Sequence, residues 1–84
     1  MYYVYVLQSK KDGTLYIGCT NNLKERISNH KRGFNKSTKT KLPWVLIKTE
    51  VFYNNILALK REKFLKSGRG REVIKKFVLS GNGE

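Results

Sequence analysis

An arginine and a histidine fall where the first amphipathic stretch of this chain should carry apolar residues. Leu23 and Ile27 mark the buried stripe of a helix, and Arg26 and His30 lie on that same stripe, three and seven positions after Leu23. Lys24, Glu25, Ser28, Asn29, Lys31 and Arg32 point away. A charge aimed inward needs anionic or polar company, because burying it unpaired is costly. The alternative is an Arg that snorkels to solvent or pairs structurally. On a second helical stretch Ala58, Glu62 and Leu65 are neighbours at i, i+4 and i+7, so Glu62 borders an apolar face within the cationic run KREKFLK. Arg61 also falls among the apolar positions there, and spacing alone leaves open which of the two turns inward.

The other groups with chemistry are phenols. The opening segment, YYVYVLQSKKDGTLYIG, holds four of the five tyrosines. Side chains alternate across a strand, and cross-strand partners share a face. With an even loop, Tyr3, Tyr5 and Leu7 share a face with Tyr16 and Gly18, while Val4, Val6, Leu15 and Ile17 share the other. The second face reads as core. The first gathers phenols around a glycine, which leaves room for something to approach.

Phenols, an Arg, a His and one carboxylate are parts that phosphodiester hydrolysis requires. A carboxylate can hold a divalent cation against a phosphate oxygen, and an Arg can stabilise the charge that builds there. A proton acceptor must sit beside the attacking water. A phenol is a poor base at its usual pKa of about 10, but a nearby cation or metal favours the phenolate. A tyrosine can also relay a proton.

Composition points to the same class of partner. The chain has 84 residues, which makes one small domain. Eighteen Lys and Arg stand against six Asp and Glu, a net charge of +12. The natural partner is a polyanion, nucleic acid first. No basic amphipathic segment stands apart from the apparent core, so a membrane partner is not expected. The apolar runs are too short to span a bilayer, and no signal-like segment opens the chain, which sets a cytoplasmic location as the expectation. Cys19 stands alone, so it forms no internal disulfide, and with only His30 beside it in composition it builds no zinc site. It reads as a small packing residue, and Trp44 as core.

The elements that must position these groups are short. Residues 2–8 and 14–18 alternate as strands around the turn SKKDG. Asn22 and Glu25 fit a capping box for a helix running to about Arg32, with Gly33 as its left-handed stop. The basic stretch FNKSTKTK reads as a mobile loop. A third strand covers 44–53, and Asn54 or Asn55 caps a second helix that ends near Ser67 with Gly68 as its stop. A last helix covers 71–79. The expectation is an α+β fold, β-β-α-β-α-α, with a small three-stranded antiparallel sheet in the order 2-1-3 flanked by helices. Residues 1–79 form the domain, and 80–84 a disordered tail.

These residues resemble the GIY-YIG endonuclease superfamily, in particular its small stand-alone bacterial members. Tyr3-Val4-Tyr5 stands at the GIY position, and Tyr16-Ile17-Gly18 matches YIG. Thr20, Asn22, Leu23, Arg26 and His30 are similar to the family's T-x-N-L-x-x-R-x-x-x-H run, and ALKREKFLKSGRGR resembles the segment bearing its metal-binding Glu, here Glu62. The resemblance implies hydrolysis of nucleic-acid phosphodiesters with one divalent metal, Mg2+, for which Mn2+ can substitute. It makes Tyr16 the general base or the group that orients the water, with Tyr5 assisting. Arg26 would stabilise the transition state, His30 bind phosphate or relay protons, and Glu62 ligate the metal.

Three departures stand out. Tyr3 replaces the Gly of GIY, Cys19 stands where some members have Lys, and REVIKKFVLS lacks the Asn several members carry. The last two would weaken substrate positioning and leave metal and base in place. With no attached targeting domain, specificity is expected to be low, or to come from DNA structure or a partner protein. The expected substrate is DNA, including branched, nicked or damaged forms of the kind DNA repair meets. Lys36, Lys39, Lys41, Lys66, Arg69 and Arg71 are the candidate backbone contacts, with Gly68 and Gly70 allowing close approach. Two other readings share the charge: a non-catalytic DNA- or RNA-binding module with this fold, and an RNA-associated structural protein.

Overall fold

A computed structural model describes residues 1–79 in the expected order: β1 (Tyr2–Ser9), β2 (Leu15–Thr20), α1 (Leu23–Lys31), a 3-10 turn (Lys39–Lys41), β3 (Trp44–Phe52), α2 (Asn55–Lys66) and α3 (Gly68–Leu79). The tail expected at 80–84 lies outside the described residues. The sheet is antiparallel throughout, in the order β2-β1-β3.

The hairpin turn is tied by Ser9, whose Oγ accepts from the N–H groups of Lys11 at 3.0 Å and Asp12 at 3.3 Å. This fixes the register that sets Tyr5 opposite Gly18 and Leu7 opposite Tyr16. The two faces therefore separate as their alternation requires. Val4, Val6 and Ile17 pack with Ala58 and Leu65 of α2 and Ile74 of α3. Tyr5, Leu7 and Trp44 pack on the other side with Tyr16, Leu23, Ile27 and Leu42. The phenolic face is thus a second core, covered by α1 and the loop that follows it.

Trp44 reaches that second core because of a bulge. Tyr5 pairs with Thr49, but Leu7 pairs with Leu46, so β3 carries one extra residue between Val6 and Leu7 of β1. An inserted residue reverses which side chains face which way. Glu50 and Lys48 stand opposite Val4 and Val6, whereas Leu46 stands opposite Leu7, on the layer that holds Trp44.

The helix ends follow local chemistry. The Asn22 side chain accepts from the Glu25 N–H at 3.2 Å, while its own N–H goes to Thr20 Oγ1 at 3.0 Å, so half of the expected capping box forms. Gly33 ends α1 at φ 78°, as expected. Asn54 caps α2 by accepting from the Leu57 N–H at 2.9 Å.

Two local expectations are overturned. Gly68 is not a left-handed stop; it opens α3, which starts three residues before Arg71. The reason is Gly70, whose missing side chain lets α3 lie directly on the backbone of Phe64 and Leu65. That close fit also takes up the space through which Gly70 could have admitted a phosphate. The loop at 34–41 is not free either. Ser9 Oγ donates to the Lys41 carbonyl at 2.7 Å, Lys41 Nζ meets Asp12 at 2.9 Å, and Trp44 Nε1 donates to the Thr38 carbonyl at 2.7 Å.

Candidate active site

Gly18 decides where the phenols sit. A Cβ there would overlap the ring and hydroxyl of Tyr5, so the room that the glycine leaves is filled from within by Tyr5. The Tyr5 ring is 0% exposed. Its hydroxyl lies 3.0 Å from His30 Nε2, and the other ring nitrogen, Nδ1, lies 2.9 Å from Thr38 Oγ1. His30 is itself 0% exposed, so both of its ring nitrogens are engaged inside the protein. The partner that an inward-facing His requires is therefore a phenol on β1 and a hydroxyl from the loop.

Tyr16 is the half-buried member of the group. Its ring centroid lies 4.8 Å from that of His30 and 6.3 Å from those of Tyr5 and Trp44, the last in an edge arrangement. Tilted and edge contacts of this kind suit the aromatic quadrupoles.

Arg26 and Glu62 reach this phenolic cluster from different layers. Burial pushes the Tyr5 phenol well above its ordinary range, and Tyr16 adds to the push. The Arg26 guanidinium opposes it by charge, while Glu62 adds to it. Arg26 belongs to α1 and Glu62 to α2, on opposite faces of the sheet. Arg26 lines a cleft of about 270 Å3 at the β2 edge with Tyr2, Cys19, Thr20, Asn21, Asn55 and Leu59. Glu62 lies one helical turn after Leu59, on the same side of α2.

The question of Arg61 and Glu62 resolves into two directions. Arg61 holds Glu50 on β3, with Nε 2.7 Å from Oε1. Glu62 keeps its carboxylate 18% exposed and pairs with Lys66 at 3.3 Å. The Arg61 hydrogen bonds, then its charge and that of Lys48, outweigh burial and hold the Glu50 carboxyl below its usual range. Burial, then the Arg26 charge, pushes the His30 imidazole below 6.5, which keeps it neutral. Burial and Glu62 raise the Cys19 thiol, which packs against the aliphatic core and is not activated as a nucleophile.

No group of three or more His, Cys, Asp or Glu among the described residues could cage a metal. Glu62 offers one hard carboxylate, half sheltered and with a solvent-exposed lysine as its ion-pair partner. That donor set fits a cation such as Mg2+, which keeps several waters and takes one or two carboxylates plus substrate phosphate.

Tyr5, Tyr16 and His30 are thus brought together on one face of the sheet, while Arg26 from α1 and Glu62 from α2 act on the Tyr5 phenol by charge. Lys36, Lys39, Arg69 and Arg71 are exposed outside this cluster, Lys66 pairs with Glu62, and Lys41 is tied to Asp12 and Thr14. Thr38 and Asn35 were not singled out from sequence. Inside FNKSTKTK one threonine looks like the next, and only Trp44 and His30, distant in sequence or on another element, bury this one.

The family model described as the GIY-YIG catalytic domain matches residues 1–76. A UPF0213 protein of Staphylococcus haemolyticus is 37% identical over 75 residues, 88% of this chain and 90% of that one. A UPF0213 protein of Clostridium perfringens is 43% identical over 67 residues, 79% of this chain and 71% of that one. The solution NMR structure of a UPF0213 protein from Bacillus halodurans superposes with a TM-score of 0.57 at 33% identity, covering 92% of this chain and 85% of that one. With the catalytic-domain match running from the first residue through most of α3, the chain belongs to the GIY-YIG family of nucleases.

Proposed function

We propose that this chain is a metal-dependent endonuclease that hydrolyses phosphodiester bonds in nucleic acid, DNA first, with low sequence specificity or guided by DNA structure. The observation that carries this is the gathering of Tyr5, Tyr16 and His30 on one face, next to a cleft at the β2 edge lined by Arg26, with the Arg26 and Glu62 charges both acting on the Tyr5 phenol. A scissile phosphate there would meet a guanidinium for its developing charge and a carboxylate for a cation. Tyr16, half-buried beside Tyr5 and His30, would orient the attacking water or take its proton. Tyr5, held protonated by its burial, supports the site from behind. Glu62 would hold the divalent metal, Mg2+ with Mn2+ as a substitute, which when bound supplies Lewis-acid polarisation of the phosphate. Lys36, Lys39, Lys66, Arg69 and Arg71 would contact the phosphate backbone. The same reading takes the protein to be cytoplasmic, not membrane-bound, acting on branched or damaged DNA, with a partner protein able to add specificity.

The test is nicking of supercoiled plasmid in Mg2+ by the wild type beside Glu62→Gln and Tyr16→Phe. Nicking by the wild type that disappears in both variants supports the reading. Protein that binds DNA yet never nicks it in Mg2+ or Mn2+ overturns it in favour of a non-catalytic nucleic-acid-binding module. One observation favours that second reading: Tyr5 and His30 are wholly enclosed, with their polar atoms already satisfied.

A further inference from the structure

The Tyr5 hydroxyl is buried, and among the described residues its hydrogen-bond partner is His30 Nε2, while the exposed Arg26 guanidinium acts on it by charge. A guanidinium has no acceptor. The Tyr5 proton can therefore go only to His30 Nε2, which must carry a lone pair. A neutral imidazole with a bare Nε2 bears its proton on Nδ1, and Nδ1 faces Thr38 Oγ1 at 2.9 Å. The Thr38 hydroxyl must then accept from His30 and send its own proton elsewhere. The Asn35 carbonyl, 3.3 Å from Thr38 Oγ1, is an acceptor only.

We propose that Thr38 is a positioning residue that accepts the His30 Nδ1 proton and so completes a buried hydrogen-bond chain of one direction. The chain runs from Tyr5 O–H to His30 Nε2, from His30 Nδ1–H to Thr38 Oγ1, and from Thr38 O–H to the Asn35 carbonyl. Its direction follows from its ends, a buried hydroxyl whose proton has His30 Nε2 as its acceptor and an acceptor-only carbonyl. Reversing the middle, with Nε2–H donating to Tyr5, would leave the Tyr5 proton buried and unpaired, the costly arrangement for a hydroxyl. Protonating His30 would do the same. The consequence, which rests on the nuclease reading, is that Tyr5 turns its proton to His30 and leaves its lone pairs to the Arg26 charge. Thr38 itself is held by its position in the loop, with its carbonyl taken by Trp44 Nε1.

The histidine is the only one in the chain, which makes the test direct. Long-range 1H–15N correlation of its ring in the intact protein at neutral pH reports which nitrogen bears the proton. The expected result is the Nδ1–H form in the wild type and in Thr38→Ser. Thr38→Val, which has no acceptor, should keep the Nδ1–H form, because Tyr5 still needs a bare Nε2, and should lose stability relative to Thr38→Ser because the buried Nδ1–H is left unpaired. A wild-type ring in the Nε2–H form overturns the proposal, as does a Thr38→Val protein as stable as the wild type. If Thr38→Val does not fold, the wild type and Thr38→Ser still decide it. Should the wild type nick DNA, Thr38→Val is expected to lose roughly tenfold or more of that activity, and Thr38→Ser to recover it. If the wild type does not nick DNA, the function proposed above fails while the tautomer still stands or falls alone.

Discussion

Arg61 of α2 grips Glu50 of β3 through two parallel hydrogen bonds, 2.7 Å from Nε to Oε1 and 3.0 Å from Nη2 to Oε2. The neighbouring residue, Glu62, is thereby left for the opposite edge of the sheet. A bidentate pair of this kind is geometrically specific and stronger than a neutral hydrogen bond. It pins α2 across the strands, so that one turn of helix serves both the sheet and the site.

Removing that grip should destabilise the fold in a pH-dependent way. Arg61→Met keeps most of the aliphatic stem and loses both bonds, at a cost of about 1–3 kcal/mol near pH 7. The folded-state pKa of Glu50 lies below its ordinary 4.5. Its contribution is therefore present above that value and lost as pH falls through the depressed one. Urea unfolding over a pH series should show the gap between wild type and Arg61→Met closing below pH 4.5. A gap that stays constant into acid would mean packing, not the ion pair, was lost.

His30 should give a second and earlier acid limb. Its folded pKa is held below 6.5, so protons favour the unfolded chain once pH drops beneath that value. Stability from this group is full above 6.5 and erodes as pH falls below it. His30→Gln should be less stable than wild type at pH 7.5, yet flatter between pH 7 and 5. Equal slopes for the two proteins in that window would contradict a neutral, buried His30.

Two glycines, two residues apart, should respond with opposite signs. A Cβ on Gly68 meets nothing within 4 Å, so Gly68→Ala at the start of α3 should stabilise by about 0.5–1 kcal/mol. A Cβ on Gly70 would strike the backbone of Phe64 and Leu65, which cannot move without parting α2 from α3. Gly70→Ala should destabilise by about 1–3 kcal/mol or more. Thermal unfolding of the two single variants is sufficient, and like signs would refute the close fit of the two helices.

The same glycines mark the boundary of what the sequence made legible. Strand alternation has a period of two, so the separation of Tyr3, Tyr5, Leu7, Tyr16 and Gly18 from Val4, Val6, Leu15 and Ile17 could be read without coordinates. Helical spacing likewise put His30 on the inward stripe, where it is buried, but Arg26, expected on the same stripe, is exposed, as a long charged side chain that snorkels to solvent can be. Local propensity misread Gly68, because a glycine after a helix more often ends it than begins the next. Gly70 packs on a backbone seven positions or fewer away in sequence, but only the turn between α2 and α3 brings them together. The same limit hid Glu50 and Thr38. Each looks like an ordinary polar residue of a strand or a loop until Arg61, or His30 with Trp44, arrives from elsewhere in the chain.

Charge should govern how nucleic acid is held, and the lysines of the loop should divide. With a net charge of +12, binding should weaken steeply with salt through counterion release. Each Lys or Arg that truly contacts a phosphate contributes about 0.9 to the slope of log K against log salt on duplex DNA. Lys36 and Lys39 are exposed. Their replacement by Ala should flatten the slope by about one each while leaving stability unchanged. Lys41 is spoken for, with Asp12 at 2.9 Å and Thr14 Oγ1 at 3.0 Å. The Thr14 and Lys41 bonds hold the Asp12 carboxyl below its ordinary range. Lys41→Ala should therefore loosen the clamp between the hairpin turn and the loop, with a smaller effect on the salt slope. Fluorescence anisotropy of a labelled duplex at several salt concentrations separates the two behaviours. A flat salt response in the wild type would remove phosphate contacts as the basis of binding, and the nuclease reading with them.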